Sequence, residues 1–124
     1  MTAPFLPKQV KPTKPKPMTE AQLQDAVIKL AHVLGWSHMH CRRSIGKHGR
    51  WVTATNVPWP DLTLWHPKHG FMVRELKVRN VFQPGQRDTL DGLSAAGVNA
   101  DVWTPKDLDS GRIVAELRGR ETGA

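Results

Sequence analysis

Asp61, Glu75 and Lys77 are the residues whose types and spacing point most directly to chemistry. Segments 61–66 and 70–78 read as two strands around a turn at Pro67-Lys68-His69-Gly70. A loop of residues 67–69 pairs His66 with Gly70, and counting outward sets Asp61 opposite Glu75. Residues two apart on a strand share a face, so Glu75 and Lys77 project together. Asp61 joins them, with its Cβ about 4.5–5.5 Å from that of Glu75. Two carboxylates set face to face repel unless a cation lies between them or one keeps its proton. Lys77 supplies one positive charge and a divalent metal would supply the rest. Two hard oxygen donors with open water positions suit Mg²⁺ or Mn²⁺ better than zinc. The plainer alternative is that Asp61 caps a strand beside Pro60 while Glu75 and Lys77 form a surface ion pair.

The elements that must position these groups are legible on either side. Thr19 and Gln22 form a capping-box pattern, and Gly35 follows as a helix stop. Leu23, Val27, Leu30 and Leu34 fall on one face of that helix, and Glu20 shares their stripe. Gln22, Asp25, Lys29 and His32 lie opposite. An acid aligned with the apolar side either stabilises the helix dipole from the first turn or belongs to an active site. A second helix is expected from Pro84 to Gly97, with Leu90, Leu93 and Gln86 facing inward. Residues 99–104 read as a short strand ending at Pro105, and residues 108–118 as a last helix with Leu108, Ile113 and Leu117 inward. Residues 37–55 read as strand and loop, with Gly46 and Gly49 between two short extended pieces. The hairpin carries Leu62, Leu64, Met72, Leu76 and Val78 on one face and Trp65, Phe71 and Val73 on the other. That pattern predicts a central hairpin covered on both sides, in a mixed α/β architecture.

The chain has 124 residues, 39% apolar and 23% charged. Those values exclude collagen-like, coiled-coil and wholly disordered classes and predict one domain over residues 18–118. Residues 1–17 hold five prolines and four lysines without an acid and read as a disordered arm; residues 119–124 read as a flexible tail. No apolar run approaches the ~18–20 residues that span a bilayer, and no signal-peptide pattern opens the chain. With Cys41 as the lone cysteine, a soluble, cytoplasmic protein is expected. The formal net charge is +7. Residues 18–80 hold nine basic and four acidic residues, whereas residues 81–124 hold five and seven. Positive charge thus gathers in the first two thirds of the chain, with Arg42, Arg43, Lys47, His48 and Arg50 its densest folded stretch. A polyanion, above all nucleic acid, is the natural partner. His38, His40 and Cys41 invite a zinc reading, but four ligands in paired clusters would be needed and no second cluster is visible. The five tryptophans read as core and interface residues, with Trp51 and Trp59 the two placed to meet bases.

Pro60-Asp61-Leu62, then Glu75-Leu76-Lys77-Val78, then Gln86 on the next helix, resembles the PD-(D/E)xK nuclease superfamily. More closely, the chain is similar to the virus-type replication-repair nuclease (VRR-NUC) domain. Glu20 on a leading helix fits that resemblance. So does a helix ending at Gly97 followed by a strand reaching Val102-Trp103-Thr104-Pro105. The likeness covers roughly residues 18–118. One departure is Trp59, which stands where the family usually has glycine and alters how the chain enters the strand.

The resemblance implies a restriction-endonuclease-like mixed sheet flanked by helices. It implies Mg²⁺ or Mn²⁺ held by Asp61, Glu75 and the Leu76 carbonyl. Lys77 would position the attacking water or offset charge on the phosphorane, and Gln86 would orient groups around the site. Glu20 would hold an outer-shell water or a metal. Arg42, Arg43, Lys47 and Arg50 would track backbone phosphates without reading bases. The expected activity is structure-selective endonucleolytic cleavage of DNA, leaving a 5′-phosphate and a 3′-hydroxyl. Stand-alone members resemble Holliday-junction resolvases that act as homodimers on four-way or flapped DNA in repair and recombination, including in phage. Two other classes stay open at this point: a non-catalytic DNA-binding module that keeps the fold, and a zinc-stabilised interaction protein.

Overall fold

A computed structural model of the chain describes residues 16–41, 44–45, 51–52 and 57–120. The order is α1 (Glu20–Val33), β1 (Ser37–His40), β2 (Ser44–Ile45), β3 (Trp51–Val52), β4 (Leu62–His66), β5 (Gly70–Leu76), α2 (Gln86–Ala95), β6 (Asn99–Trp103), α3 (Pro105–Asp109) and α4 (Arg112–Leu117). Four strands form a mixed sheet in the order β1-β4-β5-β6; β1, β4 and β5 are antiparallel in turn, and β6 joins β5 in parallel. β2 and β3 pair with each other in a separate two-stranded ribbon. The fold is therefore mixed α/β, a four-stranded sheet with helices on both faces. Among the described residues no helix is long and apolar enough to cross a membrane.

Local chemistry explains the element boundaries. Thr19 accepts from the Gln22 N–H and the Gln22 side chain accepts from the Thr19 N–H, closing the capping box. At the far end Gly35 sits at φ +84°, and the Trp36 N–H donates to the Ala31 carbonyl. That left-handed turn is what glycine permits, and it swings Trp36 under the sheet. There its indole N–H donates to the Leu117 carbonyl at 2.7 Å.

One face of the sheet carries the hydrophobic core. Leu62, Leu64, Met72 and Leu76 pack with Trp103 against Leu23, Val27 and Ala31 of α1 and Ile113 and Leu117 of α4. Leu30 and Leu34, expected in the stripe, are only partly buried beside it, and Ala31 takes the inner position. The opposite face is covered over β6 by α2, whose Ser94 hydroxyl donates to the Ala100 carbonyl. Helix α2 starts at Gln86, two residues after Pro84, because Gly85 supplies its N-cap at φ +83°.

Two expectations need correction. The hairpin is not covered throughout: Val73 is buried, but Trp65 and Phe71 are 45% and 48% exposed. Ten residues of α2 span only about 15 Å, and they lie along β6, leaving the turn end of the hairpin bare. The last helix is two helices. Thr104 with Asp107 forms a second capping box with Pro105 at the first turn, so α3 starts early; Gly111 at φ +82° then breaks the chain before α4. Backbone hydrogen bonding runs on through Gly119 and Arg120 at the C-terminal end of α4. The arm over residues 1–17 lies outside the described residues except for Lys16 and Pro17, as do residues 121–124 of the tail.

Candidate functional site

The register counted from the turn is the register observed. His66 pairs with Gly70 and Leu62 with Arg74, so the next position outward sets Asp61 against Glu75. Asp61 itself stands just ahead of β4, behind Pro60, which has no N–H to give the ladder. Its backbone carbonyl still accepts from the Cys41 N–H at 2.9 Å. Its carboxylate Oδ2 accepts from the Leu76 N–H at 2.8 Å. The Asp61 side chain is thus tied to the backbone between Glu75 and Lys77. β5 ends one residue before Lys77, because the chain opposite turns into α3 after Trp103; Lys77 keeps a backbone bond to the Trp103 carbonyl.

Glu75 and Lys77 point to the same face and are 2% and 5% exposed. Lys77 Nζ lies 3.8 Å from Glu75 Oε1 and donates to Gln86 Oε1 at 2.8 Å. Gln86 Nε2 donates back to Glu75 Oε1 at 3.2 Å. Gln86 Oε1 also accepts from the Gln83 N–H at 2.6 Å. An amide has both a donor and an acceptor, and here the acceptor serves the ammonium while the donor serves the carboxylate. Gln86 is fully inward, 1% exposed, as expected.

Asp61, Glu75 and Lys77 line one cleft of about 460 Å³, together with Glu20, Cys41, Val78, Arg79, Val81 and Gln83. Three separate elements therefore deliver charged groups to one place. Glu20 differs from its expected setting in one respect. As the first residue of α1 it is exposed on the cleft wall, not buried in the helix stripe. Among the described residues no three His, Cys, Asp or Glu side chains gather into a ready metal cage. Asp61 and Glu75 are the carboxylates that the hairpin brings to this cleft, with Glu20 on its wall.

Other candidates fall elsewhere. His38 and His40 share a strand face with rings stacked 6.5 Å apart; Cys41 is exposed and lines the acidic cleft. His66 and His69 stack at 4.5 Å beside Trp36. The Trp59 indole N–H donates to the Thr63 hydroxyl at 2.9 Å, which fastens this half-buried side chain to the sheet. Arg42, Arg43, Lys47 and Arg50 lie outside the described residues, as does the side chain of Trp51.

Sequence reasoning missed Arg79 on the cleft wall and Gln83, whose backbone N–H shares the Gln86 acceptor. Neither shows a periodic signal, since both lie in the segment between β5 and α2. Comparison with protein-family models, with curated proteins and with solved structures finds no match to this chain.

Proposed function

We propose that the chain is a metal-dependent, structure-selective DNA endonuclease of restriction-endonuclease-like fold, as its resemblance to VRR-NUC nucleases implies. The observation that carries this reading is the single cleft shared by Glu20, Asp61, Glu75 and Lys77. The donor set fits the ion. Two carboxylates and a backbone carbonyl are hard oxygen donors, and they suit an ion that keeps several waters, as Mg²⁺ does. Asp61, Glu75 and the Leu76 carbonyl would hold Mg²⁺ or Mn²⁺, with Glu20 beside them. When bound, such an ion supplies Lewis acidity that polarises a phosphate and makes water a stronger acid.

The chain's own residues do the rest. Gln86 fixes the Lys77 ammonium, which stands ready to offset negative charge growing on the scissile phosphate. The same amide orients Glu75, and the Leu76 N–H orients Asp61. The net charge of +7 attracts the polyanion at long range. Arg42, Arg43, Lys47 and Arg50 would then meet its backbone phosphates, giving affinity that falls steeply with salt. Paired cuts across a four-way junction need paired sites, so a homodimer is the expected form.

The test is a cleavage panel of four-way junction, flap, splayed arm and linear duplex with Mg²⁺ or Mn²⁺. Wild type is expected to leave 5′-phosphate ends on a branched substrate. Glu75→Ala and Lys77→Ala should each cut at least about 100-fold more slowly while DNA binding stays within a few fold. Chelator should abolish cutting by wild type. Undiminished cleavage by either variant, or in chelator, overturns the reading. Salt-sensitive binding with no cleavage of any substrate would favour a non-catalytic DNA-binding module.

A further inference from the structure

Lys77 is held from three sides. Besides Gln86 and Glu75, its Nζ lies 5.3 Å from the centroid of the Phe82 ring. The same ring takes a second cation, because the Arg87 guanidinium carbon stands 5.7 Å from its centroid. Phe82 belongs to the segment joining β5 to α2. Alternate residues of this segment serve two hollows. Arg79, Val81 and Gln83 line the acidic cleft, whereas Asn80 and Phe82 line a neighbouring groove with Arg87 and Arg112. The segment is closed onto the site by the Gln83 N–H, which binds the same Gln86 oxygen that receives Lys77. Phe82 is half-buried and stands outside the hydrophobic core, so core packing does not account for its ring.

An aromatic face attracts an ammonium through its quadrupole, and more strongly where water is excluded. Gln86 fixes one proton of the Lys77 ammonium and Glu75 draws the group sideways. The ring supplies an apolar third wall without competing for a proton. We propose that Phe82 is a positioning residue: its ring face, shared by Lys77 and Arg87, sets where the Lys77 ammonium points and keeps bulk water from it. The effect on rate rests on the nuclease reading; the seating of Lys77 does not.

Two readouts on the full chain separate these. The first is single-turnover cleavage of a branched substrate with Mg²⁺, alongside DNA affinity. The second is acetylation of lysine amines followed by mass spectrometry, with exposed Lys29 as the internal reference. Phe82→Leu and Phe82→Met should cut about tenfold more slowly at unchanged DNA affinity, a smaller loss than the ~100-fold that a full 1 Å misplacement can cost. In both, Lys77 should be acetylated several-fold faster relative to Lys29. Phe82→Trp, which restores a π face, should recover both readings, and melting temperatures should show all three variants folded. Lys77 labelling that is the same in wild type and both truncations overturns the proposal, as does equal exposure in Phe82→Trp and Phe82→Leu. If wild type cuts no DNA, the nuclease reading falls and the labelling still decides the role of Phe82.

Discussion

Arg74 and Glu75 are neighbours in sequence, yet they face opposite sides of β5 and are 1% and 2% exposed. Each buried charge needs partners, since desolvation otherwise costs several kcal/mol. Glu75 finds Gln86 and Lys77. Arg74 finds the Asn99 carbonyl and amide oxygens, each at 2.9 Å, the Glu116 carboxylate at 2.8 Å and the Trp103 ring. Burial pulls its guanidinium below the usual arginine range, and the charge of Glu116 opposes that fall. Glu116 also accepts from the Trp103 indole and from Arg112. Replacing Glu116 with Ala removes the carboxylate that Arg74 contacts and leaves it buried near Arg112, a loss of about 3–5 kcal/mol. Urea denaturation measures it, and a cost below about 1 kcal/mol would show that water reaches Arg74 after all. None of this was legible beforehand. Asn99, Trp103 and Glu116 meet Arg74 only through the parallel pairing of β6 and the return of α4.

Helix α2 shows how an element carries a site. Its first residue is Gln86, the hub of the Lys77–Glu75 contacts, and its N-cap is Gly85 at φ +83°. A Cβ at Gly85 would also come within 3.2 Å of the Pro58 ring. Gly85→Ala therefore combines left-handed strain with a tight contact. The strain alone is worth about 1–2 kcal/mol, and any relaxation shifts Gln86. Both melting temperature and cleavage rate should fall; a variant as stable and as fast as wild type would mean that the turn is freely adjustable. The inward position of Gln86 was readable from its spacing to Leu90 and Leu93. The start of the helix was not: it was expected at Pro84, but Gly85 takes the left-handed N-cap conformation and the helix begins at Gln86.

At the scale of the molecule, Arg112 ties β6, α3 and α4 together through ion pairs with Asp101, Asp107 and Glu116. Burial by itself raises the Asp107 carboxyl. Hydrogen bonds from the Thr104 N–H, from Arg112 and from the Thr104 hydroxyl outweigh it and hold Asp107 below the usual aspartate value. Arg112 is shifted the other way: burial lowers it, but Asp107, Glu116 and Asp101 together raise it. Asp107 binds its proton more weakly folded than unfolded. Its contribution is thus complete above the ordinary aspartate range and is lost as pH falls through the depressed value. Stability should drop as pH falls through the ordinary aspartate range and below it, and Asp107→Asn should flatten part of that drop. Thermal unfolding across that range checks it; an unchanged acid limb in the variant would remove Asp107 as a cause.

The sequence by itself determined what depends on short range. The capping box at Thr19, the glycine stops, the hairpin loop and the Asp61–Glu75 register all follow from residues within a turn or a strand of one another. Periodicity then placed Gln86 inward and named the apolar face of the sheet. Tertiary structure decided the rest. It kept Glu20 exposed on the cleft wall, left Trp65 and Phe71 bare beyond the end of α2, and closed Phe82 over Lys77. Burial and contact between distant segments depend on helix length and on which element lies across which strand. Those are properties of the packed chain, and no local pattern encodes them.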